Sequence, residues 1–172
     1  PLLVKCLEII REDPDFESYL IMSSSAELTL RQETELEVND VKRLADHVCA
    51  PEEIGAKPAS GSFKTEGMMI VPCSMKTIAG IHSGYNLILR AADVTIKEQR
   101  TLVLAARETP LSGIHLRNLY ELSMLPGVRI IPPMMTFYHK PESIDDMVYH
   151  IAAKLLEPFG IEAKEYRRWN GL

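Results

Sequence analysis

The 172 residues carry a formal charge of −5 and 46% apolar side chains, enough for one domain with its own core and without the basic face of a nucleic-acid binder. No apolar run approaches the ~20 residues of a membrane helix, and no basic, apolar and small-residue leader pattern is visible, so neither a membrane nor a secretory role is expected. Three cysteines at unrelated spacings, Cys6, Cys49 and Cys73, point to reduced thiols in a cytoplasmic setting rather than to disulfides or zinc.

The chain opens at Pro1 on an amphipathic pattern, LLVKCLEIIRE, with Leu2, Leu3, Cys6, Ile9 and Ile10 at helical spacing. Proline suits a first helical turn because its missing N–H has no intrahelical partner there. After the turn residues DPDFES, SYLIM reads as a short buried strand running into the serines at 23–25. Helices are predicted over 26–34 and 41–48, followed by a Pro-, Gly- and Ser-rich loop, PEEIGAKPASGS. GMMIVP is the second strand, expected to end at Pro72, with helical patterns after it through 79–92. TLVLAA is a third strand leading into Arg107 and Glu108. SGIHLRNLYELSML reads as a helix capped by Ser112, VRIIPP as a fourth strand, and PESIDDMVYHIAAKLLEPFG as a long helix beginning at Ser143. The tail, EYRRWNGL, is basic and aromatic.

Strands alternating with helices imply an α/β protein with a mostly parallel sheet and helices on both faces. Such sheets bind ligands at the carboxyl ends of their strands. Here those exits read SSS, PCSMKT, AARET and PPMMTFYH, a concentration of hydroxyl, cationic and acidic groups. In PCSMKT, Ser74 and Thr77 offer hydroxyls and backbone N–H groups. Ser74 as a simple N-cap is an equal reading, and Lys76 beside it favours an anionic ligand. The serines at 23–25 have the same ambiguity: Ser23 could touch a phosphate, or Ser24 and Ser25 could cap the next helix. Arg90 and Lys97 lie about two turns apart on one helix face, either as solvated charges or as a cationic wall for phosphate. Arg107 beside Glu108 could hold an anion next to a proton donor or acceptor, or form a structural ion pair. Glu33 reads as a surface acid, and Tyr138 and Trp169 as packing residues. The five histidines show no metal-ligand spacing, and no Walker loop, Gly-x-Ser-x-Gly elbow or Cys-x-x-Cys occurs.

Taken together and in order, ASGSFKTEGMMIVPCSMKTIAGI, RAADVTIKE, LVLAARETPLSGIHLRNL, PPMMTFYHKPESIDDMV and RRWNGL resemble the UbiX-type flavin prenyltransferases, including the Pad-type members associated with phenolic-acid decarboxylation. The resemblance runs over most of the chain from Leu2. It implies a three-layer α/β/α, Rossmann-like (flavodoxin-like) flavoprotein fold. It also implies an enzyme that attaches a dimethylallyl group from dimethylallyl phosphate to reduced FMN at N5 and C6, with no metal. The product, prenylated FMN, would serve a UbiD-type decarboxylase, and the assembly would be a homododecamer.

By the same resemblance, Ser23, Ser74, Met75, Lys76, Thr77 and Arg107 belong to the FMN site. Arg90, Lys97, Tyr138 and Lys154 belong to the substrate phosphate. Glu33 and Glu108 handle protons, and Trp169 flanks the allyl group. Lys154 stands where many members carry Arg, which keeps the charge but loses the bidentate fork. The segment around 81–89 reads as slightly shorter than in relatives. The family's first strand and Gly-rich phosphate loop are absent from this sequence, so residues 1–172 are expected as a single domain lacking them, with residues 160–172 closing the active site. Two other readings share this fold. One is a cysteine decarboxylase of the phosphopantothenoylcysteine type, whose Pro-x-Met-Asn motif is replaced here by PCSMKT. The other is an inactive oligomeric paralogue or fragment without FMN.

Overall fold

The computed structural model describes residues 1–81 and 86–171. Its first helix, α1 (Leu2–Arg11), buries Val4, Cys6, Leu7 and Ile9. That stripe is wide enough to serve two clusters. Val4 and Leu7 pack with Leu20 of β1 (Tyr19–Ile21), Leu30 of α2 (Ser24–Glu33) and Val41 of α3 (Val38–Lys42). Cys6 and Ile9 turn instead toward the larger sheet and the last long helix, α7 (Ile144–Leu156).

All observed strand pairs are parallel. β1 pairs with β2 (His47–Cys49), placing Leu20 opposite Val48. A separate sheet has the order β3 (Gly67–Cys73), β4 (Thr101–Ala106), β5 (Val128–Ile130), with Leu104 between Ile70 and Ile130. Strand β4 is central and covered on both faces, so it reads as an unbroken apolar run rather than an alternating one. Its residues still sort by parity. Val103 and Ala105 pack with Cys6, Ile9, Leu155 and Leu156 of α1 and α7. Leu102 and Leu104 face Ile78 of α4 (Met75–Gly80), Ala92 of α5 (Leu87–Lys97) and Leu122 of α6 (Gly113–Ser123). Each fully buried leucine here contributes about 1.5–3 kcal/mol by leaving water.

The structure departs from the sequence reading in several places. The stretch read as a helix over 41–48 is the end of α3 followed by β2. A three-residue strand is too short to impose its own periodicity, and only pairing with β1 defines it. Pro72 does not end β3, which runs on to Cys73. The ladder is irregular between Ile70 and Cys73, as expected where proline removes an N–H donor. The helical pattern across 79–92 belongs to two helices, α4 and α5, and residues 82–85 of the segment read as shortened lie outside the described residues. β5 stops at Ile130, before the two prolines. The last helix gives way to a 3-10 turn, Glu157–Phe159, closed by Gly160 at φ +77, a left-handed conformation that a side chain would strain. That turn redirects the tail.

Candidate active site

Because β3 and β4 are parallel neighbours, their carboxyl ends open side by side. The Arg107 N–H donates to the Cys73 carbonyl at 3.1 Å, which joins the two exits. Immediately beyond, Ser74 is the N-cap of α4: its Oγ accepts from the Thr77 N–H at 3.2 Å and lies 3.1 Å from Thr77 Oγ1. Met75 turns into the core with Cys73 and Ile78, which leaves Ser74 and Lys76 exposed and Thr77 half-buried. Arg107 and Glu108 are exposed, and Glu108 Oε1 accepts from the Thr109 N–H at 3.1 Å. Burial pushes the Cys73 thiol up to about 12, so it stays protonated and is no nucleophile. At the exit of β1 the cap of α2 is Ser23 itself, not its neighbours, with Oγ accepting from the Ala26 N–H at 3.2 Å.

A second constellation surrounds α7. A cavity of about 210 Å³ is lined by Ile131, Met134, Tyr138, His150, Lys154 and Tyr166, among others. Tyr138 Oη is 3.0 Å from His150 Nε2. The Trp169 ring meets the Tyr138 ring edge-on at 5.6 Å, and Tyr166 lies against His150 at 4.8 Å. Lys154 pairs with Glu157 at 2.5 Å, and Glu157 also holds Arg168 of the tail. The hydrogen bonds from Lys154 and then Arg168 hold the Glu157 carboxyl below its usual range, while the Glu157 bond raises Lys154. Burial, followed by His139 and Lys154, pushes His150 below the usual histidine value.

The remaining sequence candidates lie elsewhere in the chain. Arg90 pairs with Asp93 at 2.8 Å in the first turns of α5. Lys97 ends α5 and pairs with Glu98, just before β4 begins at Thr101. Arg107 follows the opposite end of β4, so a strand length of roughly 20 Å separates it from Lys97. Glu33 is exposed at the end of the 10-residue α2, roughly 15 Å along the helix from Ser23. Thus the fold gathers Ser74, Lys76, Thr77, Arg107 and Glu108 at one rim and Tyr138, Lys154 and Trp169 at one cavity. It leaves Lys97 and Glu33 apart from both. His139, His150, Tyr166, Glu157 and Arg168 were not singled out by the sequence. The available signal was the i, i+4 spacing of His150 and Lys154 on one helix face. Among the described residues no cluster of three or more His, Cys, Asp or Glu is placed to hold a metal ion.

A parallel α/β/α domain with polar strand exits is the architecture of many nucleotide-binding proteins, and the Flavoprotein family profile matches residues 1–156 of this chain. A probable UbiX-like flavin prenyltransferase of Streptomyces sp. (strain D7) is 50% identical, covering 100% of this chain and 86% of the relative. The dodecameric FMN-dependent UbiX-like decarboxylase from Escherichia coli O157:H7 superposes with a TM-score of 0.95 at 49% identity, over 99% of this chain and 93% of that one. AnUbiX (PadA1), solved with FMN and dimethylallyl pyrophosphate, also gives a TM-score of 0.95, at 45% identity over 99% and 91% of the two chains. The chain belongs to the UbiX-like flavin prenyltransferases, a family of transferases within the flavoproteins. That membership favours prenyl transfer over the cysteine-decarboxylase and inactive-paralogue readings.

Proposed function

We propose that this protein transfers a dimethylallyl group from dimethylallyl phosphate to N5 and C6 of reduced FMN, and that a UbiD-type decarboxylase receives the prenylated flavin. The observation that carries the reading is the rim where Ser74, Lys76 and Thr77 meet Arg107 and Glu108 at adjacent parallel-strand exits. Its donor set of hydroxyls, backbone N–H groups, an ammonium and a guanidinium suits a flavin nucleotide, whose ring edge and phosphate are rich in acceptors. Ser23, Ser74, Lys76, Thr77 and Arg107 would hold FMN through side chains, and the buried Met75 through its backbone. Bound reduced FMN supplies the nucleophilic ring positions.

The protein's own residues govern the leaving group. Tyr138 and Lys154 would bind the substrate phosphate, and their fixed charge and hydrogen bonding would stabilise the negative charge that develops as the C–O bond breaks. Trp169 would offer its π-face to the electron-poor allyl fragment. Glu108 would accept or return the proton lost on ring closure.

Residues 160–172 are proposed to close the site. The contacts that support this are Arg168 with Glu157, the Glu165 N–H donating to Tyr149 Oη at 3.1 Å, and Trp169 against Tyr138. Lys97 and Glu33 sit too far from both regions in one chain, so we place them, together with Arg90 about two turns before Lys97 on the same helix, in sites completed by neighbouring copies of a homododecamer. The dodecameric Escherichia coli relative supports that assignment, as do the exposed Met134, Met135 and Phe137 beside Tyr138. Three free thiols fit a cytoplasmic location. No described helix is long and apolar enough to cross a membrane.

The test is mass analysis of the flavin after anaerobic incubation with reduced FMN and dimethylallyl phosphate, with the pyrophosphate in parallel. A flavin heavier by one dimethylallyl unit is expected. Unaltered flavin with both donors would overturn the proposal.

A further inference from the structure

Two polar side chains are buried among the described residues, Thr95 and His150. Thr95 is accounted for within its own helix, where Oγ1 donates to the Ala91 carbonyl at 2.7 Å. His150, at 7% exposure, is not a helix-internal case. Burying an imidazole is costly unless it gains a partner, and the partner here is the hydroxyl of Tyr138 at 3.0 Å. The surroundings pack against both rings. His139 lies flat on His150, with centroids 4.1 Å apart and planes at 2°, and its own Nε2 is buried without a partner. Tyr138 is held edge-to-face by His139 at 5.5 Å, His150 at 5.4 Å and Trp169 at 5.6 Å. The imidazole cannot swing without disturbing Tyr138, His139 and Tyr166, while the Tyr138 ring stays partly exposed.

We propose that His150 is a positioning residue that donates its Nε2–H to Tyr138 and thereby directs the Tyr138 hydroxyl proton at the phosphate of the allylic substrate. This rests on the reading of Tyr138 as a phosphate contact. A fully ionised phosphate only accepts hydrogen bonds, so Tyr138 must present its O–H to bind it. With that proton committed, the phenol oxygen satisfies its buried side by accepting from His150, which requires the proton on Nε2. The other tautomer would make His150 the acceptor and turn only phenol lone pairs toward an anion. The groups facing His150 are Tyr138, His139, Lys154 and Tyr166; burial and the neighbouring His139 and Lys154 disfavour its cationic form. A neutral Nε2–H imidazole therefore suits the site, with Lys154 supplying the positive charge one turn along the same helix.

The experiment measures KM for dimethylallyl phosphate and kcat, at saturating FMN, in Y138F, H150F, the double variant and H150Q. Loss of a hydrogen bond to a charged group predicts a KM raised roughly tenfold in each single variant, with kcat changed less. The double variant should be no worse than either single one, because both remove the same interaction. H150Q, whose amide carries an N–H to nearly the Nε2 position, should stay within about threefold of wild type, a rescue that ring packing alone would not produce. A wild-type KM in H150F beside a raised KM in Y138F, or single effects that multiply in the double variant, would overturn this proposal alone. A wild-type KM in Y138F would overturn the phosphate reading of Tyr138 and the proposal with it. Should H150F fail to assemble, inhibition by inorganic phosphate in H150N and H150Q decides. The shorter H150N should bind phosphate roughly tenfold more weakly than H150Q, and equal inhibition would overturn the proposal.

Discussion

The rim at the exits of β3 and β4 and the cavity against α7 are built by different means. At the rim, main chain does the positioning: the Arg107 N–H to Cys73 bond and the Ser74 cap fix where the backbone goes, and Ser74, Lys76, Arg107 and Glu108 project into solvent. At the cavity, side chains position one another. Tyr138 bonds to His150, Lys154 to Glu157, Glu157 to Arg168, and Trp169 leans on Tyr138. A rim of this kind tolerates replacement of its side chains without loss of fold, whereas the cavity couples its side chains to the tail. The two regions suit the two substrates assigned to them, a large flavin resting on backbone and a small phosphate gripped by a preorganised cluster.

That contrast is open to attack at several points. The largest effect is expected from Arg107→Ala, which removes an exposed guanidinium assigned to FMN. Steady-state kinetics should give a kcat/KM lower by roughly 10²-fold, with thermal unfolding unchanged. A drop in unfolding temperature would mean that the rim is structurally coupled after all. Trp169→Ala comes next, with kcat lowered roughly tenfold through the lost π-face, KM for dimethylallyl phosphate changed less and the bound-flavin absorbance intact. Loss of flavin from this variant would merge the two regions into one.

The smallest effect is on stability and depends on pH. His150, faced by Tyr138, His139, Lys154 and Tyr166, has its pKa lowered below the ordinary 6.5 in the fold, chiefly by burial. Its contribution is present above 6.5 and is lost as pH falls through the lower folded value, because the unfolded chain then binds the proton more readily. Unfolding temperatures at pH 7 and pH 5 should therefore converge more closely in H150Q than in wild type, with the carboxylate contributions common to both. An identical pH dependence in the two proteins would remove the buried, neutral histidine from the description.

The same contrast separates what the amino-acid sequence discloses from what it conceals. Parallel strands put function at their exits, so PCSMKT and ARET were marked by topology alone, and Ser112 and Ser143 were legible as helix caps from residue type. β2 was not legible, because HVC acquires its conformation from Tyr19–Ile21 across the ladder rather than from local preference. The cavity was hidden for a related reason. Residues 131–138, 150–154 and 166–169 meet only after Gly160 turns the chain back, and no spacing along the sequence records that meeting. Tyr138 and Trp169 thus read as packing residues from the sequence alone, with roles only by family resemblance, and no local pattern marks Glu157 or a partner for His150. Lys97 and Glu33 are the reverse case: the resemblance supplies roles, while the course of β4 and α2 keeps them away from both regions within one chain.

The most direct measurement of the division between rim and cavity is a paired titration of Ser74→Asp and Lys154→Ala, each assayed for FMN affinity and for KM toward dimethylallyl phosphate. Aspartate retains the helix cap, so Ser74→Asp should fold normally, bind FMN at least roughly tenfold more weakly through charge repulsion and lost donation, and keep its KM for the allylic phosphate at saturating FMN. Lys154→Ala should do the converse, raising that KM roughly tenfold with FMN affinity unchanged. Equal shifts in both affinities for either variant, or each variant disturbing the other's ligand, would contradict the account.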